Sequence, residues 1–353
     1  MSPKKSSKKL IGISVGDLNG IGYEVILKCL ADSRINDLAQ LVIYGSKDSA
    51  EYYMKRLNLG QLHLNYIKSI DEVKGNKTHL LEVWKDKYEI QLGSIDKRAG
   101  ELAFKSLNAA VTDLKDGKLD ALVTAPINKQ NIQSEEFNFP GHTEYLQDVD
   151  GEEDSLMLMI SQRAKIGLVS GHIPLKEVSE HIESELILRK LSILNKSLRE
   201  DFSIRKPKIA VLGLNPHAGD NGLLGEEEEK IIIPAIQQAK SIDILAFGPF
   251  PADGFFGSSA FTKYDGILAM YHDQGLIPAK SFSFGEGTNF TAGLSFIRTS
   301  PDHGTAYEIA GEGIANEGSF RNALYNAIQI ANDRQMNQEL VEGQFSPPKK
   351  GKS

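Results

Sequence analysis

Three histidines sit at matching places along the chain. KIGLVSGH ends on His172, KIAVLGLNPH on His217 and DGILAMYH on His272. Each apolar run reads as a buried strand of a parallel sheet. Ligands of such sheets collect beyond the carboxyl ends of the strands, where the crossover loops begin. Three neutral imidazoles gathered at one edge, with an open position left over, suit a catalytic divalent metal, zinc most readily. The competing reading is that each histidine caps its own strand. No HxxxH or CxxC spacing occurs nearby, so the metal expectation rests on position alone.

Other predicted strand ends are polar as well. ALVTAP leads into Asn128 and Lys129, and DILAFGPFP leads into Ala252 and Asp253. FPGHTEYL puts His142 and Thr143 at a helix start, where backbone N–H groups suit an anion. Beyond His272, the stretch AKSFSFGEGTNFTAGLSFIRTS supplies Lys280, Asn289 and Arg298. Two cations and an amide returning to the same edge would suit a phosphate or carboxylate, with solvated side chains as the plain alternative. GDLNGIG after the first strand has the look of a phosphate turn. It lacks the GKS/T ending of a P-loop and does not match GxGxxG, so it reads as a tight strand-to-helix connection.

The elements that would position these residues alternate throughout. Strand-like runs are expected at 10–16, 40–45, 121–126, 165–172, 208–217, 243–253, 265–272 and 294–300. Helices are expected at about 21–30, 100–114 and 319–333, with others between the later strands. Alternation of this kind predicts a mostly parallel α/β/α architecture. There is no internal repeat and no low-complexity linker, so any two domains must share a continuous fold.

The chain has 353 residues, 41% hydrophobic and 25% charged, and a formal net charge of −7. Its length suits two domains or one large interleaved one. The negative balance argues against a sequence-independent grip on nucleic acid, which needs a basic face. The single cysteine, Cys29, excludes an intrachain disulfide and fits a reducing compartment. No run approaches the roughly 20 apolar residues of a membrane span, and the expected location is the cytoplasm. The basic ends MSPKKSSKKL and QFSPPKKGKS read as solvated arms.

Eight segments in series carry a family resemblance: GDLNGIGYEV, VTAPINK, FPGHTEYL, SGHIPLKEV, LNPHAGDNGLLGEEE, GPFPADGFF, YHDQGLIPAK and FIRTSPDHGTAYEIAG. On these the chain resembles the 4-hydroxythreonine-4-phosphate dehydrogenase (PdxA) family from about Leu10 to Ile330. DHGTAYEIAG is also similar to the adenosine-contacting segment of the metal-dependent β-decarboxylating dehydrogenases. The resemblance implies two α/β/α domains with mostly parallel sheets and a cleft active site. That fold is related to isocitrate and isopropylmalate dehydrogenases and is not Rossmann. The expected terminal domain is 1–145 with 300–353, and the central one is 146–299.

The same resemblance implies oxidation of 4-phosphohydroxy-L-threonine by NAD or NADP, followed by decarboxylation, in pyridoxal phosphate (vitamin B6) biosynthesis. It places metal ligands at His172, His217 and His272, for Zn or alternatively Mg, Mn or Co. Substrate contacts fall on His142, Thr143, Lys280, Asn289 and Arg298. Cofactor contacts fall on His303, Gly304, Thr305 and Ala306. Asp253 and Asp273 are candidates for the proton acceptor or for supporting the metal ligands. A homodimer with a shared active site is implied, so the three ligands need not come from one chain. The first turn departs from the common GDPAGIGPE of the family, and Gly254 stands where many members have Thr. These departures keep a dehydrogenase of another phosphorylated hydroxy acid open, of the threonate or erythronate 4-phosphate type. A metal-dependent hydrolase and a non-catalytic binding protein are the remaining alternatives.

Overall fold

The computed structural model describes residues 8–152 and 154–345. The outer parts of both basic arms, residues 1–7 and 346–353, lie outside the described residues.

The strands are β1 (Lys9–Ser14), β2 (Ala39–Gly45), β3 (Asn65–Ile67), β4 (Thr78–Glu82), β5 (Ala121–Thr124) and β6 (Leu156–Ile160). They continue with β7 (Lys165–Leu168), β8 (Lys208–Leu212), β9 (Leu245–Phe250), β10 (Gly266–Ala269), β11 (Thr288–Ala292) and β12 (Arg298–Pro301). All belong to one sheet ordered β3-β4-β2-β1-β5-β12-β11-β6-β7-β10-β8-β9. The helices are α1 (Gly22–Leu30), α2 (Lys47–Arg56), α3 (Lys97–Lys115), α4 (His142–Asp150) and α5 (Leu175–His181). After them come α6 (Ser184–Glu200), α7 (Ile233–Ser241), α8 (Ala252–Phe256), α9 (His272–Ser283) and α10 (Gly318–Phe345).

The mostly parallel α/β architecture expected from the alternation is present. Its two parallel wings meet through an antiparallel centre, since β11 runs antiparallel to both β12 and β6, and β6 antiparallel to β7. The wing built on β7, β10 and β8 therefore runs opposite to the wing built on β1, β5 and β12. The helices bury apolar stripes against the sheet. In α6 the stripe is Ile187, Leu191, Leu194 and Leu198, all out of solvent at helical spacing. Asp96 caps α3 by accepting from Ala99 N at 3.0 Å.

Six strands, β1, β5, β7, β8, β9 and β10, end earlier than expected, and three of them precede the histidines. β7, β8 and β10 stop at Leu168, Leu212 and Ala269, so the histidines fall in the loops or helix that follow. At β10 the reason is Gln274, whose Oε1 accepts from Met270 N at 2.7 Å while its Nε2 donates to Gly213 O at 2.6 Å. That side chain ties the end of β10 to the end of β8 and lets His272 open α9. The last helix also runs beyond the expected 319–333, to Phe345.

Candidate active site

The floor of the main cleft is made by strand middles. Cross-strand register aligns Met159, Asn289 and Ser300. Side chains on one face recur every second residue, so Met157, Thr291 and Arg298 form the neighbouring row. Arg298 confirms the geometry: Nη1 donates to Thr291 Oγ1 at 3.3 Å, and Nε and Nη2 donate to Thr124 Oγ1 at 3.0 and 2.7 Å. The guanidinium is 3% exposed and has no carboxylate partner among the described residues. Burial pulls its pKa down to about 10, against an opposing pull from Glu144, so it stays charged at neutral pH. A buried cation whose partners are hydroxyls lacks its counter-charge.

The walls complete a cavity of about 310 Å³. One wall is the run after β5, Thr124 to Ile127 with Lys129. A second is the start of α4, with Gly141 as its N-cap and His142, Thr143 and Glu144 in its first turn. The third runs from Ser300 through Asp302 and His303 to Gly304. Opposite them, His272, Leu276 and Lys280 line the cleft from one face of α9 at four-residue spacing, beside His172. Several polar atoms here are buried and unpartnered: Asn289 Oδ1, His142 Nε2 and His303 Nε2. Loss of solvent, then Arg298 and Lys129, push His142 well below the usual imidazole range. His172 is lowered by burial, Lys129 and His272.

The cleft thus gathers His142, Thr143, His172, His272, Lys280, Asn289, Arg298, His303 and Gly304. It does not gather the others. Thr305 and Ala306 lie behind the wall, with Thr305 O accepting from Ile21 N at 3.0 Å. Asp253 and Asp273 line a separate depression of about 490 Å³ with Tyr271, Ile277 and Pro278. Asp273 Oδ1 does reach His272 Nδ1, at 2.7 Å, which would fix the ring and leave Nε2 directed elsewhere.

The rings of His172 and His272 lie 5.3 Å apart, centroid to centroid. His217 is exposed and outside the cleft. It opens a run of left-handed residues, His217, Ala218, Gly219, Asp220, Asn221 and Gly222. Strained backbone of this kind persists where its surroundings over-determine it, and here the brace is Glu228. That buried carboxylate accepts from Leu214 N and Asn215 N, both at 2.7 Å, and from Asn215 Nδ2 at 2.9 Å. Among the described residues of one chain, no three of His, Cys, Asp and Glu are grouped to hold a metal ion.

Lys129, Glu144, Thr124 and Thr291 join the site without having been assigned to it. Lys129 and Thr124 stand at a predicted strand end, which is the signal that could have found them. Thr291 and Glu144 carry no spacing signal, because register alone brings Thr291 to Arg298.

Fold and site define a large α/β protein with an anion-seeking cleft beside paired imidazoles. The chain belongs to the family of the pyridoxal phosphate biosynthetic protein PdxA, whose model matches residues 37–327. A 4-hydroxythreonine-4-phosphate dehydrogenase of Bacteroides thetaiotaomicron is 47% identical over 332 residues, covering 94% of this chain and 91% of that protein. A solved 4-hydroxythreonine-4-phosphate dehydrogenase from Klebsiella pneumoniae superposes with a TM-score of 0.80 at 32% identity, covering 93% of this chain and 99% of that one. A protein of Oceanobacillus iheyensis, provisionally named a D-threonate 4-phosphate dehydrogenase, is 37% identical over 92% of this chain and 99% of its own length.

Proposed function

We propose that the chain is an NAD(P)- and divalent-metal-dependent dehydrogenase. Its reaction oxidises 4-phosphohydroxy-L-threonine to 2-amino-3-oxo-4-phosphooxybutanoate, which loses CO₂ to give 3-amino-2-oxopropyl phosphate. The observation that carries this reading is the buried Arg298 without a carboxylate partner. A guanidinium fork held by Thr124 and Thr291 is pre-organised for a phosphate or carboxylate. Lys280 and Lys129 flank the same cavity, so the two anionic ends of one substrate can be met separately. His142 Nε2, kept neutral, and Asn289 Oδ1 are acceptors for the substrate's hydroxyl and ammonium hydrogens. Holding the substrate at both ends fixes the carbon that gives up hydride.

The dinucleotide would lie along the wall that ends at His303 and Gly304, with Thr305 and Ala306 supporting it from behind. The orphaned His303 Nε2 and the open space beside Gly304 fit a polar ligand there. His172 and His272 fit a divalent cation in donor type and mutual position, with Asp273 steadying His272. Such an ion, when bound, would polarise the oxygen of the reacting hydroxyl. The third imidazole, His217, would come from a second copy of the chain. In support, α9 turns Ile277 (65% exposed) outward in the depression that holds Asp253 and Asp273, and its C-cap residue Phe284 is exposed as well. An apolar face of that kind suits a homodimer contact, and it would bring the two aspartates to a neighbouring cleft. On this reading 1–145 with 300–353 and 146–299 act as two domains flanking the cleft. A net charge of −7 leaves no general affinity for nucleic acid. No described helix is long and apolar enough to cross a membrane, and we place the protein in the cytoplasm.

A second reading keeps the reaction and changes the substrate to another phosphorylated hydroxy acid. It is favoured by the relative provisionally named for D-threonate 4-phosphate. The test is reduction of NAD⁺ or NADP⁺ with each phosphorylated acid in turn, repeated on chelator-treated protein and on His272→Ala. Reduction with 4-phosphohydroxy-L-threonine that both treatments abolish is expected. Reduction surviving both would end the metal reading, and reduction only with another acid would move the substrate.

A further inference from the structure

Behind the cleft, the loops after β1, β5 and β12 converge on one carboxylate. Asp17 is 1% exposed. Its Oδ1 accepts from Asn19 N at 2.8 Å, and its Oδ2 accepts from Asn131 Nδ2 at 2.7 Å and from the Tyr307 hydroxyl at 2.9 Å. Its counterparts are neutral donors, with no ion pair to a Lys, Arg or His among the described residues. A buried anion held in this way is tolerated only while every donor stays in place. Burial and Asp17 together push the Tyr307 phenol far above its usual range, so it remains a donor.

Backbone contacts press the same three loops together. Asp17 N donates to Pro126 O at 2.9 Å. Gly16, at φ +68°, approaches so closely that an added Cβ would stand 2.2 Å from Pro126 O. Gly20 would likewise meet Thr305 O at 2.7 Å. Asn131 also donates to Asp96 O at 2.9 Å, anchoring the assembly to the cap of α3. Asn131 lies just beyond the cleft wall that ends at Lys129, and Tyr307 just beyond the wall that ends at Gly304. Asp17 therefore bonds the follow-on residue of two facing walls.

We propose that Asp17 is a positioning residue that sets the distance between these walls, and through Tyr307 holds the 303–306 segment where a nicotinamide dinucleotide has to lie. This rests on the dehydrogenase reading above. The Arg298 end of the substrate site is anchored independently, because Thr124 and Thr291 hold Arg298 without help from Asp17, whereas Lys129 stands on a wall that Asp17 helps to hold. A split in kinetic behaviour follows.

The experiment is steady-state kinetics of Tyr307→Phe, which removes the bond to Asp17 together with hydroxyl contacts to Asn128 and Thr305, and of Asp17→Asn, which keeps the shape and leaves those two contacts in place. In both variants KM for the dinucleotide is expected to rise about tenfold or more, the effect of losing a hydrogen bond to a buried charge. KM for the phosphorylated substrate should rise severalfold less, since only Lys129 on the loosened wall faces it while Arg298 is held elsewhere. Dinucleotide KM unchanged in both variants, or both KM values rising in parallel, would overturn the proposal. Amide hydrogen exchange on ligand-free protein gives a second, activity-independent reading. Tyr307→Phe should speed exchange at 303–309 and at 126–131 and leave β7 and β10 alone, and unaltered exchange there overturns the clamp. Wild-type protein that reduces neither dinucleotide defeats the dehydrogenase reading, while the exchange result still decides the clamp.

Discussion

Two cavities in this molecule each hold an arginine, and they treat it in opposite ways. In the cleft, Arg298 has hydroxyl partners and no carboxylate among the described residues. On another surface, a cavity of about 400 Å³ lies among α6, α10 and the turn after β11. There Arg334 Nε reaches Asp201 Oδ1 at 2.5 Å, and its Nη atoms donate to Ser295 O and Leu294 O. Asp201 in turn accepts from Ser197 Oγ at 2.7 Å. The second arginine is complete, so it fastens α10 to α6 and asks nothing of a ligand. The first is incomplete, which costs stability and, on the proposed reading, creates affinity for an anion. Volume ranks these cavities the other way round, so the state of their polar groups is the better guide to function.

The comparison can be broken most sharply at Arg298. Arg298→Met should lower kcat/KM by about 10³-fold, roughly 4 kcal/mol of lost substrate and transition-state binding. Its ligand-free melting temperature should stay level or rise, since an uncompensated buried charge is gone. A fall in melting temperature without loss of kcat/KM would reverse the two arginines' roles. Arg334→Met is predicted to do the opposite. It strands the Asp201 carboxylate, which is 3% exposed. Denaturant titration should show a loss of about 2–3 kcal/mol, the usual cost discounted for the partial exposure of Arg334. The folded enzyme's KM values should not move.

Smaller effects sharpen the picture of the cleft. Lys129→Met is expected to raise substrate KM about tenfold at low salt, and less at high salt, because the lysine is exposed. Equal KM at all ionic strengths would remove Lys129 from the substrate's surroundings. The smallest effect is in the pH dependence of stability. His142 has a folded pKa depressed below its unfolded value, so on acidification the unfolded chain takes up a proton first. Stability should therefore fall as pH drops below about 6.5, at up to about 1.4 kcal/mol per pH unit. His142→Gln should flatten that slope between pH 6.5 and 5, as read by melting temperature.

Much of the parallel framework was legible because long apolar runs alternate with amphipathic helices. The two antiparallel strands were not. β6 (LMLMI) is short and joins β7 through Ser161–Ala164, a turn with no Asn-Gly or Gly-Gly signal. β11 (TNFTA) is polar and bounded by glycines, and reads as loop. Missing them hid the cleft floor, because Asn289 and Arg298 meet through strand register and not through sequence spacing. The histidine positions could be read; the paths of their loops could not. Strand order puts β8 beyond β10 from β7, and the left-handed run from His217 to Gly222 follows a turn at Leu214 and Asn215 that Glu228 holds from another element. No local pattern announces such a brace.

The antiparallel centre also governs how the chain can be made. β12 inserts between β5 and β11, so the hydrogen-bonding edge of β5 waits for residues 298–301, far along the chain. During synthesis the first wing must carry an unpaired, apolar edge strand until most of the chain has left the ribosome. Such an edge templates mispairing, and pairings this distant in sequence form late. The arrangement that builds a cleft floor from strand middles thus leaves the β5 edge open to mispairing until residues 298–301 are made.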